Sequence, residues 1–151
     1  MKQLPKITLA LIALWGTMTA SFGEGPQQNK EQAIEYFESE LAFTTNPYGA
    51  KSVVDGKREN TIIIDVRSAE SFAKGHIPGA INIPHEKHNN FEGEGKIEGL
   101  HEGYMHYVYC YQSLCNLGQK AALKFAKDGY AVKEMKGGFE EWKKSNYPVE
   151  K

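Results

Sequence analysis

Residues 61–66, Thr-Ile-Ile-Ile-Asp-Val, form a run that is β-branched at every position but Asp65, with no alternation of polar and apolar positions. Such a run fits a strand buried on both faces, which is the situation of a strand inside a parallel sheet covered by helices. The rest of the chain agrees. Ala80–Ile83, His106–Cys110 and Ala131–Met135 read as further strands, and Ser68–Lys74, Leu117–Asp128 and Phe139–Lys144 as helical segments between or after them. Strands alternating with helices imply an α/β fold with a mainly parallel sheet. Lys30–Leu41 carries Ala33, Ile34, Phe37 and Leu41 at helical spacing and reads as an amphipathic helix. Asn46-Pro47-Tyr48-Gly49 reads as a turn, and residues 85–103, rich in Gly, Glu and His, as the least ordered stretch.

The first residues carry a different signal. Lys2 and Lys6 precede an apolar run, Ile7–Trp15, broken only by Thr8, and small or polar residues come after it. This pattern predicts a secretory signal peptide over 1–23, with Ala20 as the alternative cleavage point, then a polar linker over 24–29 and the domain over 30–151. The run is shorter than the roughly 20 apolar residues a membrane-spanning helix needs. A periplasmic or secreted protein with no stable membrane span after processing is therefore expected, in a compartment that oxidises exposed thiols. With 18 basic and 19 acidic residues and no basic run, the chain lacks the electrostatic footprint of a nucleic-acid binder. At 151 residues it is long enough to bury a core without a metal or disulfide staple.

Chemistry concentrates at Cys110, which ends the His106–Cys110 strand and precedes a loop and a helix. In open α/β sheets ligands bind beyond the carboxyl ends of strands. The unpaired N–H groups of the next helix favour a thiolate there, and the loop of Tyr111, Gln112, Ser113, Leu114, Cys115, Asn116 and Leu117 can turn further N–H groups toward the sulfur as a cradle for an anion, which makes it the expected substrate-binding loop. From position alone an inert buried thiol filling the strand end is the favoured reading, since free cysteines are commonly buried.

The segments IIIDVRSAESFAKGHIPGAINIP (62–84) and VYCYQSLCNLGQKAALKFAKDGYAVKEMKGGFEEWKKSNYPV (108–149) resemble the two halves of the rhodanese-like family. The resemblance implies a single domain with a five-stranded, mainly parallel sheet flanked by helices. It implies that Cys110 carries a persulfide, moving sulfane sulfur from a small donor to cyanide or a thiol in two half-reactions, with no cofactor. A redox or sulfur-carrier protein is the other kind of partner it admits. Two departures stand out. The short loop with Gly and Arg that commonly comes after the cysteine is replaced by a longer one, and Arg58 and Arg67 are the only arginines in the chain. Charge-assisted binding of thiosulfate is thereby in doubt, and Lys120 is the nearest cation in sequence. Asn116 stands where the phosphatases of this fold need the Arg of Cys-x5-Arg.

The second departure is Cys115, which leaves three readings open: a packing residue, a resolving thiol that attacks oxidised or persulfidated Cys110, or the nucleophile itself. Sulfur transfer then has two rivals, a thiol–disulfide redox protein using Cys110 and Cys115, and a non-catalytic sulfur-carrier or binding module. Asp65 and Arg67 either orient the active-site loop or form a structural pair. His76 reads as structural. His85, Glu86 and His88 lack the convergent ligands a zinc site needs, so no metal is expected.

Overall fold

The computed structural model describes residues 29–94 and 96–151; the signal peptide expected over 1–23, and all of the linker except Asn29, lie outside them. Strands β1 (Thr44–Thr45), β2 (Thr61–Asp65), β3 (Ile81–Asn82), β4 (Met105–Tyr109) and β5 (Ala131–Met135) form one sheet in the order β1-β5-β4-β2-β3, with every neighbouring pair parallel. Helices α1 (Lys30–Phe43), α2 (Pro47–Val54), α3 (Ala69–Lys74), α4 (Leu117–Lys127) and α5 (Gly138–Lys144) surround it, and His85–Phe91 forms a 3-10 turn. The expected α/β architecture with five parallel strands is borne out.

The β-branched run explains why the sheet has two cores. In β2, Ile63 faces the cluster of Ala50, Ile77, Tyr107, Tyr109, Met135, Phe139 and Trp142, while Ile64 and then Val66 face Val108, Cys110, Ala121, Phe125 and Val132 on the other side. β4 alternates likewise, with Tyr107 and Tyr109 on one face and Val108 and Cys110 on the other. A period of two across a doubly covered sheet asks for apolar residues on both faces, which Ile62, Ile63, Ile64 and Val66 supply, with Asp65 as a buried charged exception.

Several local expectations are corrected. Asn46-Pro47-Tyr48-Gly49 opens α2 instead of making a free turn: the Asn46 side chain accepts a hydrogen bond from the Gly49 N–H at 3.0 Å, and Pro47 occupies the first helical position. Turns and helix starts draw on the same residue types, and only the next few residues of the chain separate the two outcomes. The two-residue strand β1 has no counterpart among the expected elements; its pairing with β5 supplies order that two threonines alone do not signal. The first part of 85–103 is ordered by two apolar plugs. Phe91 and Ile97 enter the α4-side core, and Phe91 meets Phe125 edge to face at 5.8 Å. α1 forms where expected, yet none of its residues is buried, and Ile34, Phe37 and Leu41 remain exposed among the described residues. Among those residues no helix is long and apolar enough to cross a membrane.

Candidate active site

Cys110 lies one residue past the end of β4, the strand between β5 and β2, so it sits at the carboxyl edge in the middle of the sheet. Its residue is 4 % exposed. Two backbone contacts hold it there. The N–H groups of Phe139 and Glu140, in the first turn of α5, donate to the carbonyl oxygens of Cys110 and Tyr111, each at 2.9 Å. This closeness depends on Gly138, which has φ of +60°. A Cβ there would come within 2.6 Å of the Cys110 carbonyl oxygen and 2.8 Å of the Gln112 nitrogen. The Gly137-Gly138 pair is therefore the seat on which the cysteine loop rests.

The loop closes on itself through a bond between Cys110 and Cys115, with Cα atoms 6.3 Å apart. The Cys115 N–H donates to the Gln112 carbonyl at 3.0 Å, and its side chain packs against the α4-side core beside Leu117. Gln112, Ser113 and Leu114 are exposed, and among the described residues no protein group accepts from their N–H groups. Asn116 precedes α4 without a side-chain capping bond, and its carbonyl accepts from the Lys120 N–H at 3.0 Å.

A cavity of about 80 Å³ opens beside the bond, lined by Cys110, Gln112, Ser113, Cys115, Gln119, Glu134, Met135, Lys136, Gly137 and Gly138. Six of these residues, Gln119, Glu134, Met135, Lys136, Gly137 and Gly138, are not among the site residues the sequence points to, and of the six only Glu134 and Lys136 carry charge. Glu134 shares strand parity with Val132 and pairs in register with Val108, so it occupies a core-facing position under α4. Gly118 leaves it room: a Cβ there would lie 3.4 Å from Glu134 Oε1 and 3.8 Å from Cys110 Cβ. Lys136 Nζ pairs with Glu134 at 2.8 Å and lies 3.8 Å from Glu40. The hydrogen bond that Lys136 donates to Glu134 chiefly raises the Lys136 pKa above its ordinary value, so the lysine is a firmly charged cation already matched by acids. An acid at a core-parity position just before Gly-Gly is the signal the sequence offers for this pair. Lys120, the cation expected near the site, instead pairs with Glu92 and does not line the cavity.

Asp65 and Arg67 form a buried pair behind the loop. Arg67 Nε donates to both carboxylate oxygens at 3.0 Å and Nη2 to Oδ2 at 2.6 Å. Nη2 also reaches the Gly75 carbonyl at 2.7 Å. The Tyr109 hydroxyl donates to Asp65 Oδ2 at 2.5 Å. Burial foremost, with the Asp65 charge beside it, pushes the Tyr109 hydroxyl far above its ordinary pKa, so it stays a donor. Burial works against the Arg67 charge, but its bonds to Asp65 outweigh this and hold its pKa raised. The guanidinium lies 4.0 Å from the Phe139 ring centroid and 5.8 Å from that of Tyr111. Neither residue of the pair lines the cavity, and the pair braces the two aromatic residues beside the cysteine loop. Tyr111 turns its hydroxyl to Ser68 and Ser71, 3.2 Å from each hydroxyl oxygen. Burial would raise its pKa, but these bonds lower it.

The histidines do other things. His76 stacks on Phe72 at 3.7 Å, His85 bonds Asn90, and Glu86 accepts from the Ala69 N–H at the start of α3. Among the described residues no group of three His, Cys, Asp or Glu could hold a metal ion.

The model of the rhodanese-like domain family matches residues 50–145. The chain is 34% identical over 95 residues to the thiosulfate sulfurtransferase GlpE of Pseudomonas putida, covering 62% of this chain and 79% of that one. A crystal structure of a Bacillus halodurans protein superposes with a TM-score of 0.68 at 34% identity, over 81% of this chain and 86% of that one. The solution structure of a rhodanese-like domain from an Anabaena species gives 0.56 at 25% identity, over 71% and 77%. With a match spanning β2 to α5 and curated relatives that are sulfurtransferases, the chain belongs to the rhodanese-like family of sulfurtransferases.

Proposed function

We propose that the protein is an exported sulfurtransferase that carries sulfane sulfur as a persulfide on Cys110, working in the periplasm or outside the cell. The observation that carries this reading is Cys110 itself, at the carboxyl end of the middle strand, opening onto a cavity of about 80 Å³ beside unpaired loop N–H groups. With the 110–115 bond reduced, the Cys110 thiolate attacks the outer sulfur of a donor, the donor's S–S bond breaks, and the outer sulfur remains on Cys110. A thiophilic acceptor, cyanide or a thiol, then takes it. The N–H groups of Gln112, Ser113 and Leu114 are available to stabilise the thiolate and persulfide anions. Export rests on the residue pattern of 1–23.

The charges around the cavity favour organic persulfide donors over thiosulfate. No guanidinium lines it, and its lysine is matched by Glu134 and Glu40. A dianion gains little from such a balanced site.

The test uses the Cys115→Ser protein, in which Cys110 cannot be tied up in the loop bond. Incubation with glutathione persulfide should add about 32 Da, one sulfur, and cyanide should remove it as thiocyanate. The Cys110→Ser/Cys115→Ser protein should gain nothing. Absence of the adduct with every sulfane donor, the thiol being free at the start, overturns the reading.

A further inference from the structure

The bond between Cys110 and Cys115 points to a second half-reaction that needs no external acceptor. Resting on the persulfide chemistry proposed above, we infer that Cys115 discharges the Cys110 persulfide, so that the protein reduces sulfane sulfur to hydrogen sulfide and is reset by a dithiol. Three observations carry this. The two cysteines, five residues apart, are within bonding reach, with Cα atoms 6.3 Å apart. Cys115 is held toward Cys110 by its N–H bond to the Gln112 carbonyl and by packing beside Leu117 against the α4-side core. The cavity beside the bond, about 80 Å³, has room for an outer sulfur, and Cys115 already forms part of its wall.

The chemistry balances without an oxidant beyond the donor itself. In the first step Cys110 attacks the outer sulfur of a low-molecular-weight persulfide, and the donor's remaining thiol leaves. In the second, Cys115 attacks the inner sulfur of the Cys110 persulfide. The bond to the outer sulfur breaks, the Cys110–Cys115 bond forms, and hydrogen sulfide leaves with the Cys115 proton. The outer sulfur gains two electrons and the two cysteines lose them. A dithiol then restores both cysteine thiols and becomes a disulfide. The net change converts one persulfide and one dithiol into one thiol, one hydrogen sulfide and one disulfide. Attack by a tethered thiol gains the effective concentration that an acceptor in solution lacks.

The test is a single turnover of the fully reduced protein with one equivalent of glutathione persulfide and no reductant, then intact mass and sulfide trapping. The wild type should become about 2 Da lighter and release about one equivalent of sulfide. Cys115→Ser and Cys115→Ala should each become about 32 Da heavier, with sulfide release at least about 100-fold slower. A wild type that keeps the extra sulfur and releases no sulfide overturns this inference while leaving the persulfide reading intact. If neither the wild type nor the Cys115 variants accept sulfur, the persulfide reading fails and this one with it.

Discussion

At the scale of single residues, two charged pairs stand around the site, Asp65–Arg67 behind the cysteine loop and Glu134–Lys136 at the cavity. Asp65 and Arg67 are 0 % and 4 % exposed, so removing one charge leaves the other buried without a partner. Asp65→Asn should therefore lower unfolding free energy by about 3–5 kcal/mol, measured by urea denaturation, because an uncompensated buried charge costs more than the pair itself yields. The loss should be smaller when Arg67 is replaced by Met in the same protein, since the orphaned cation is then gone. The position of Glu134 bears on the proposed chemistry. Its carboxylate lines the cysteine cavity, where negative charge opposes both a thiolate and an anionic donor. Glu134→Gln should raise kcat/KM for thiosulfate roughly threefold to tenfold, with a smaller change for glutathione persulfide, the size expected for a partly matched charge several ångströms away. An unchanged donor preference would remove Glu134 from the determinants of specificity.

At the scale of elements, the cysteine loop is positioned by its fit against the start of α5. The first turn of α5 donates to the carbonyls of Cys110 and Tyr111, and Gly138 admits the approach. Gly138→Ala adds a methyl group against backbone and forces a residue with a side chain into a left-handed conformation. It should cost about 1–3 kcal/mol in chemical denaturation and slow sulfur loading of Cys110, because the loop has to lift away from α5. Arg67 tightens the same junction from behind, through its contact with Phe139 at 4.0 Å. The sequence allowed Asp65 and Arg67 to be either a structural pair or an orienting device. The geometry joins the two: the pair is buried and structural, and it braces Phe139 and Tyr111 beside the cysteine loop.

At the scale of the whole molecule, one buried histidine ties stability to pH. His106, 0 % exposed in β4, shares a hydrogen bond with the Ala131 carbonyl at 2.9 Å, and its Nε2 accepts from the His101 N–H at 3.2 Å. Burial first, and the nearby His101 after it, lower its pKa below the ordinary histidine value, despite the opposing effect of the Ala131 bond. The unfolded chain then binds a proton at a pH where the folded protein does not. Stability should fall as pH drops from the ordinary histidine range, about 6.5, down to the lower folded value. Melting temperatures from about pH 7.5 to about pH 5 should show this decline, and His106→Gln should flatten it in that window. A wild-type profile that stays level there would show that His106 does not couple protonation to folding.

The sequence by itself determined the architecture. A β-branched run with apolar residues on both of its faces calls for cover on both sides, and strands alternating with helices then imply a parallel sheet. It also placed Cys110 at the end of a strand and before a helix, which local order alone fixes, while the role expected of that thiol came from the resemblance to the rhodanese-like family. Short elements escaped it: β1 and α2 arise from pairing and capping that two threonines and an Asn-Pro-Tyr-Gly stretch do not reveal. Tertiary structure alone decided which charges meet the cysteines. Lys120 is close in sequence but turns to Glu92, whereas Glu134 and Lys136 arrive from β5 and its end, brought beside β4 by the sheet. It also decided that Cys115 lies against Cys110, because a separation of five residues permits many loop shapes and only the contacts with α4, α5 and the core select this one. Spacing along a chain fixes which residues share an element, while the partners of a side chain are set by the elements packed around it.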